Sequence, residues 1–105
     1  MKNKKKYDTL DGKHCLITGA TGGLGRELSI LFAKMGINVF LTSTKNQSLA
    51  KLQKEIIKQT NNSHISYQSA DLRKLYDIKK LIKKIRKEFG TIDILVNCAG
   101  IFSQK

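Results

Sequence analysis

Proline and tryptophan are absent from this 105-residue sequence, and cysteine occurs only twice. Without proline, any segment of the chain is free to form a helix or a strand. Cys15 and Cys98 each lie in an apolar run, without a Cys-x-x-Cys pair or a histidine cluster, so we interpret both as buried small hydrophobic residues rather than as disulfide or metal ligands. No apolar run approaches the roughly 18 residues that a membrane span requires. We therefore expect neither a metal site nor a membrane segment.

Acidic residues are also scarce, since 8 Asp and Glu face 20 Lys and Arg, giving a net charge of +12. Such an excess can indicate a nucleic-acid-binding surface. Few aromatic side chains are available for stacking on bases, however, and many lysines recur at the solvent-facing positions of a predicted helix. These are Lys79, Lys80, Lys83, Lys84 and Lys87. We favour a solvated basic surface and keep nucleic-acid binding as the weaker alternative.

The only dense basic run comes at the start of the chain, with Lys2 and residues 4–6. A signal peptide begins in the same way, but Asp8, Asp11 and Lys13 interrupt the apolar stretch that should follow. We expect a cytoplasmic protein. A chain of this length supports one domain, so we divide it into a basic tail over residues 1–12 and one folded unit over residues 13–105.

Strand-like and helix-like patterns alternate after the tail. Short apolar runs predict strands over residues 14–18, 38–42, 64–70 and 92–97, and periodic segments predict helices over residues 23–35, 47–60 and 74–89. This alternation predicts an α/β fold, a Rossmann-type doubly wound parallel sheet. Right-handed crossovers give the strand order 3-2-1-4, with the sheet cut off after the fourth strand.

Each predicted helix carries one apolar face that should meet the sheet. In the first helix the face consists of Leu24, Leu28, Leu31, Phe32 and Met35, and Gly36 supplies the stop. In the second it consists of Leu49, Leu52 and Ile56, and in the third of Ile78, Leu81, Ile82, Ile85 and Phe89.

A glycine-rich segment lies between the first strand and the first helix, and reads Thr18-Gly19-Ala20-Thr21-Gly22-Gly23-Leu24-Gly25. A diphosphate can approach a backbone closely only where side chains are missing, and a helix N-terminus offers it N–H donors and positive potential. We predict that Gly19 makes the turn, that Gly22 and Gly23 admit the diphosphate, and that Gly25 packs the helix on the sheet. Thr21 would hold the loop or a phosphate, and Leu24 completes this group of predicted cofactor contacts.

This segment resembles the cofactor motif of the short-chain dehydrogenase/reductase family, in the form Thr18-Gly19-x-x-x-Gly23-x-Gly25. The glycines also permit the Gly19-x-x-Gly22-x-x-Gly25 pattern of the family's extended, sugar-modifying branch. Residues 89–100, which end in Asn97-Cys98-Ala99-Gly100, resemble instead the fourth strand and the Asn-Asn-Ala-Gly motif of the single-domain branch. Cys98 stands where that motif has its second asparagine. The resemblance implies that Asn97, Ala99 and Gly100 contact the cofactor.

Asp71 and Leu72 carry a third match. In the family, an acidic residue at the end of the third strand contacts the adenine ring, helped by the backbone of the next residue. The resemblance thus assigns Asp71 and Leu72 to the cofactor site. From the residues alone, Asp71 could equally be the N-cap of the third helix.

The end of the second predicted strand bears on the choice of cofactor. An NAD site places an acidic side chain there to bind the ribose 2′-OH, but no Asp or Glu occurs between Glu27 and Glu55. The chain has Ser43, Thr44 and Lys45 instead, whose hydroxyls and ammonium suit a 2′-phosphate. We favour NADP(H) over NAD(H), although Gly22 occupies the position of the family's basic loop residue.

The resemblance implies an oxidoreductase that interconverts a carbonyl and an alcohol, most similar to 3-oxoacyl-[acyl-carrier-protein] reductases. The family's catalytic Ser and Tyr-x-x-x-Lys lie beyond the fourth strand. The one match here, Tyr76 with Lys80, falls in the third predicted helix, where we expect a surface pair. We therefore predict a cofactor-binding portion without catalytic residues, inactive and poorly stable alone, with a small substrate and homo-oligomerisation only in the full-length enzyme. A non-catalytic nucleotide-binding module is the alternative.

Overall fold

The computed structural model describes residues 9–99, so residues 1–8 of the predicted tail and residues 100–105, including Gly100, lie outside it. The elements alternate as predicted: β1 (His14–Thr18), α1 (Gly23–Lys34), β2 (Asn38–Thr42), α2 (Asn46–Thr60), β3 (Ile65–Tyr67), α3 (Leu75–Glu88) and β4 (Ile94–Asn97). Between residues 9 and 99, none of the helices has the length and apolarity needed to cross a membrane.

The four strands form one parallel sheet in the order β3-β2-β1-β4. This confirms the predicted Rossmann-type architecture and its strand order. In the register of the sheet, Thr18 at the end of β1 lies opposite Thr42 of β2 and Asn97 of β4. Three strands therefore end level with one another at the carboxyl edge of the sheet.

Helices pack on both faces of the sheet, which explains why β1 and β2 are continuous apolar runs. On the first face, Ile17 and Val39 pack with side chains of α1 and α2. On the second face, Phe40 packs with Leu81 and Ile85 of α3. The ring of Phe89 closes this second cluster, edge-on to Phe40 at 5.6 Å between centroids.

The predicted inward face of α1 is only partly correct, since Phe32 and Met35 pack against the core but Leu24 and Leu31 do not. Leu24 and Leu31 are 44% and 50% exposed, and the helix instead buries Gly25, Ser29, Ile30 and Ala33. Three of these four residues are small, so the helix axis lies close to the sheet, and the Ser29 hydroxyl is satisfied by donating to the Gly25 carbonyl at 2.7 Å. The larger leucines dominate the apolar periodicity of the sequence, but Gly25, Ser29 and Ala33 fit where the helix approaches the sheet.

The inward face of α2 is as predicted, since Leu49, Leu52 and Ile56 are buried. In α3, Leu81 and Ile85 are buried, whereas Ile82 is exposed, contrary to the prediction. Four of the five α3 lysines predicted to face solvent do so, namely Lys79, Lys80, Lys83 and Lys87. The fifth is half-buried.

The third strand is shorter than residues 64–70, with regular pairing only over Ile65–Tyr67. Single hydrogen bonds extend its path along β2, because Val39 N–H donates to the His64 carbonyl at 3.1 Å and Gln68 N–H donates to the Leu41 carbonyl at 3.1 Å. The prediction thus followed the course of the chain and overestimated its regular part.

The two edges of the sheet are built differently. At the β3 edge, the carbonyl of Ile65 accepts a hydrogen bond from Gln53 Nε2 at 2.6 Å, and the carbonyl of Tyr67 accepts one from the half-buried Lys84 Nζ at 2.7 Å. At the β4 edge, Leu95 is 63% exposed. Side chains from the two flanking helices thus cap β3, whereas β4 presents an apolar side chain, the arrangement that favours strand addition.

We predict that Leu95→Lys reduces self-association of the chain, because a lysine on an edge strand opposes pairing with a second strand. Since Leu95 is mostly exposed, its replacement should change the free energy of unfolding by less than about 1 kcal/mol. Sedimentation velocity over a concentration series measures the first effect, and urea unfolding measures the second.

Thr91→Lys is the matched control, because it adds the same charge at an exposed position that precedes β4. Equal self-association of the Leu95→Lys and Thr91→Lys variants would show that the chain does not associate through the β4 edge.

Candidate functional site

The predicted cofactor residues within the described part of the chain all follow, or end, a strand of the sheet. Residues 19–25 follow β1, residues 43–45 follow β2, residues 71 and 72 come after β3, and residues 97 and 99 lie at the end of β4. Parallel strands bring these ends to one edge. At the usual strand spacing, the four segments extend over roughly 14 Å, with the β1 and β4 segments at the point where the chain direction across the sheet reverses.

Backbone hydrogen bonds hold these segments to one another. Ala20 N–H donates to the Thr42 carbonyl at 3.0 Å, Ala70 N–H donates to the Ser43 carbonyl at 2.8 Å, and Cys98 N–H donates to the Thr18 carbonyl at 3.1 Å. Each bond continues strand pairing past the regular ladder. The carboxyl edge is therefore a connected surface rather than four independent loops.

Gly19 and Gly25 have no room for a side chain. Gly19 has φ of +63°, and a Cβ atom there would lie 2.6 Å from the backbone nitrogen of Ala99. A Cβ atom on Gly25 would overlap the carbonyl oxygen of Gly19. The loop is thus pressed between the end of β4 and the start of α1, which requires glycine for packing reasons alone.

Gly22 and Gly23 are different. Gly22 is the N-cap of α1, and a Cβ atom on it would make only an ordinary contact, at 3.5 Å from the Gly19 carbonyl oxygen. A Cβ atom on Gly23 would meet no protein atom within 4 Å. In the described chain, no side chain caps the α1 N-terminus, and its first turn holds no acidic residue. The N–H groups and the positive end of the helix dipole are therefore available to an anion.

Thr18 is the first residue of the glycine motif, but from the sequence we assigned it no contact of its own. Its side chain is nearly buried, and its hydroxyl donates to Asn97 Oδ1 at 2.6 Å. The Thr18 hydroxyl oxygen also accepts a hydrogen bond from the Ala99 N–H at 3.3 Å. Thr18 thereby fixes both Asn97 and Ala99 against the glycine loop. The signal in the sequence that could have revealed these contacts is the strand register, because Thr18 and Asn97 end neighbouring strands.

The segment after β2 exposes polar donors. Ser43 is half-buried and its Oγ accepts the Lys45 N–H at 3.1 Å, which leaves the hydroxyl hydrogen free to point elsewhere. Thr44 and Lys45 are exposed. Lys45 is also the N-cap residue of α2, so its ammonium and the helix dipole place positive charge on the same side.

Asp71 accepts hydrogen bonds from Arg73 on both carboxylate oxygens: from Nε at 3.0 Å and from Nη2 at 2.9 Å. These bonds hold the pKa of Asp71 down to about 2. Asp71 does not cap α3, because the N-cap residue is Lys74 and no side chain between residues 9 and 99 caps that helix, so the N-cap alternative is wrong. Leu72, next to Asp71, is exposed.

Three other expectations can be compared with the structure. Tyr76 is 72% exposed, and Lys80 Nζ lies 5.8 Å from its ring centroid, the surface pair that we predicted.

Cys15 is buried, and burial raises the pKa of its thiol to about 12. Cys98 is only half-buried. Among residues 9–99, no group of three His, Cys, Asp or Glu side chains is placed to hold a metal ion.

Comparison with known proteins identifies the family. Residues 13–105 match the family model described as short chain dehydrogenase. The chain therefore belongs to the short-chain dehydrogenase/reductase family.

Particular relatives and solved structures agree with this family. The chain is 35% identical to a 3-oxoacyl-[acyl-carrier-protein] reductase of Thermotoga maritima, over 88% of this chain and 37% of the relative. It is 32% identical to human retinol dehydrogenase 13, over 89% of this chain and 28% of the relative. L-Sorbose reductase of Gluconobacter frateurii, crystallised with NADPH and L-sorbose, superposes with a TM-score of 0.81 at 26% identity, over 87% of this chain and 34% of that one. The chain thus spans about a third of the length of these proteins.

We predict that Thr18→Val loosens the junction between β1 and β4, because it leaves the Asn97 amide and the Ala99 N–H without their partner. Loss of a nearly buried hydroxyl of this kind costs about 1–3 kcal/mol of unfolding free energy. Thr18→Ser keeps the hydroxyl and serves as the control in urea unfolding. If valine and serine were equally tolerated, the hydroxyl bridge would have no role in holding the site.

Proposed function

We propose that this chain is the NADP(H)-binding portion of an oxidoreductase that interconverts a carbonyl and an alcohol. The observation that carries the proposal is the uncapped N-terminus of α1, where Gly23 faces open space at the carboxyl edge of a doubly wound sheet. Packing explains Gly19 and Gly25 but not Gly23. Close approach of a ligand backbone or phosphate supplies a reason for glycine at that position.

The dinucleotide would lie along the carboxyl edge with its diphosphate on the glycine loop. Gly19, Thr21, Gly22, Gly23, Leu24 and Gly25 would surround the diphosphate. Asp71 and Leu72 would face the adenine. Asn97 and Ala99, held by Thr18, would line the other side of the loop, and we assign Gly100, which lies outside the described residues, to the same group.

Preference for the phosphorylated cofactor rests on charge at the end of β2. Ser43, Thr44 and Lys45 offer hydroxyl and ammonium donors there, and the segment carries no carboxylate to repel a 2′-phosphate. The NADPH complex of L-sorbose reductase, which shares this fold, supports the same choice.

When bound, NADPH supplies the hydride for carbonyl reduction. This chain's residues would bind and orient that cofactor, whereas proton delivery to the substrate oxygen requires further groups. Similarity to the Thermotoga maritima reductase supports a 3-oxoacyl substrate. For the complete enzyme we propose a cytoplasmic homo-oligomer, with residues 1–12 as a basic tail and residues 13–105 as the first part of its dinucleotide-binding domain.

We predict that the chain binds NADPH more tightly than NADH, and that Ser43→Asp reverses the preference. The added carboxylate would accept the ribose 2′-OH and repel the 2′-phosphate, so the affinity ratio should change by about tenfold or more. Isothermal titration with both dinucleotides measures the ratio directly.

Ser63→Asp is the matched control, since it adds the same charge at an exposed position that precedes β3, at the opposite edge of the sheet. Equal or tighter binding of NADH by the unmodified chain would refute the proposed cofactor preference.

A second prediction separates binding from stability at Gly23. Gly23→Ala should raise helix stability slightly, because alanine is favoured over glycine in a helix by up to about 1 kcal/mol and its Cβ atom meets no protein atom. The same change should weaken NADPH binding, and Gly23→Val should weaken it by at least about tenfold, because the side chain occupies the space of the diphosphate.

Thermal unfolding and NADPH titration of the unmodified chain, Gly23→Ala and Gly23→Val test whether stability and binding change independently at this position. Undiminished binding by a folded Gly23→Val variant would place the diphosphate elsewhere. Gly19→Val cannot serve for this purpose, since it would also collide with the Ala99 backbone.

A further inference from the structure

Arg73 forms a planar two-point contact with Asp71 that sequence reasoning did not anticipate. Besides the bonds from Nε and Nη2, the backbone N–H of Arg73 donates to Asp71 Oδ1 at 3.0 Å. Within residues 9–99, Arg73 supplies each of the hydrogen bonds that this carboxylate accepts. Arg73 therefore determines the direction in which the carboxylate points.

The backbone of Asp71 is anchored separately. Its N–H donates to Asp77 Oδ2 at 2.9 Å, and its carbonyl accepts the Lys74 N–H at 2.9 Å. The preceding residue, Ala70, is bonded to Ser43 at the end of β2. Because these bonds do not involve the Arg73 side chain, we expect the turn to stay in place relative to the β2 segment when that side chain is changed.

The pattern of bonds leaves one acceptor position open. Oδ1 accepts two hydrogen bonds, from the Arg73 backbone and from Nε, whereas Oδ2 accepts one, from Nη2. A carboxylate oxygen has two lone pairs, so Oδ2 can accept one more. The low pKa of Asp71 keeps the group ionised at neutral pH, and an ionised acceptor forms the stronger hydrogen bond.

The pair is unsuited to a purely stabilising role. The Arg73 side chain is 88% exposed and that of Asp71 is 18% exposed. Because the guanidinium is mostly exposed, solvent screens the pair and its contribution to stability is small, so the geometry here matters more than the Coulomb energy. A lysine could not reproduce that geometry, because an ammonium lacks the rigid fork of a guanidinium.

On the basis of the proposed function, we infer that Arg73 is a positioning residue for recognition of the adenine base. It orients the Asp71 carboxylate so that the open lone pair of Oδ2 accepts a hydrogen bond from the exocyclic amino group of adenine. Arg73 thereby makes the site selective for an adenine dinucleotide over one whose base carries an oxygen at the same position.

The test compares NADPH with deamino-NADPH, in which hypoxanthine replaces adenine and the amino group is a carbonyl. Isothermal titration gives the affinity ratio for the unmodified chain, Arg73→Ala, Arg73→Lys and the control Lys79→Ala, an exposed α3 lysine without a bond to Asp71. We expect the unmodified chain and the control to prefer NADPH by about fivefold, the equivalent of one hydrogen bond. Both Arg73 variants should reduce the preference to less than about twofold.

A cofactor-free measurement checks the positioning step itself. Carbon-13 NMR titration of the Asp71 carboxyl group should give a pKa near 2 in the unmodified chain and a raised pKa in Arg73→Ala. Thermal unfolding verifies that each variant is folded. If Arg73→Ala does not fold, the dinucleotide preference and the Asp71 pKa are measured in Arg73→Lys instead.

The possible failures are distinguishable. An unmodified chain that binds neither dinucleotide overturns the proposed function and this inference with it. A chain that binds both dinucleotides equally retains the proposed function but loses the inference. Folded Arg73 variants that keep the full preference for NADPH, or an unchanged Asp71 pKa in Arg73→Ala, overturn the inference alone.

Discussion

At the carboxyl edge of the sheet, three backbone segments approach one another without intervening side chains. The Gly19 turn lies against the Cys98–Ala99 backbone at the end of β4, and the first turn of α1 lies against the Gly19 carbonyl through Gly25. This contact positions the start of α1, and hence the direction of its dipole, relative to all four strand ends. It also places the Asn97 and Ala99 groups beside the loop, where the Thr18 hydroxyl holds them. The geometry available to a diphosphate depends on this junction.

The same closeness determines how α1 meets the sheet. A helix that begins in backbone contact with the sheet must continue with small residues, and Ser29 and Ala33 follow Gly25 at one-turn intervals. Leu24 and Leu31 lie on the side of α1 opposite Arg26, whose guanidinium is bonded to Glu55 of α2. Leu24 and Leu31 thus point away from α2.

Much of this fold is predictable from the sequence because its signals are strong and local. The apolar strands, the glycine loop and the alternation of elements lead to the strand order that the structure has. The burial of Gly25, Ser29 and Ala33 on α1 was not predictable from periodicity, since Leu24 and Leu31 outweigh these small residues in the apolar pattern. The Arg73–Asp71 pair was missed for another reason: side chains two residues apart meet only when the turn has a particular shape. The contacts of Thr18 with Asn97 and Ala99 could be predicted only from strand register, which the order of the strands alone does not give.

The two edges of the sheet differ in how readily they can pair with a strand of another molecule. Growth of a filament requires each subunit to have two adhesive edges, one for each neighbour. The β3 edge already has its outward carbonyls of Ile65 and Tyr67 bonded to Gln53 and Lys84. Within residues 9–99 the other edge of the sheet is β4, and two such edges would pair with each other in a two-fold closed contact. The Gln53 and Lys84 side chains on β3 therefore oppose filament growth through the sheet, because they occupy one of the two edges that a filament needs.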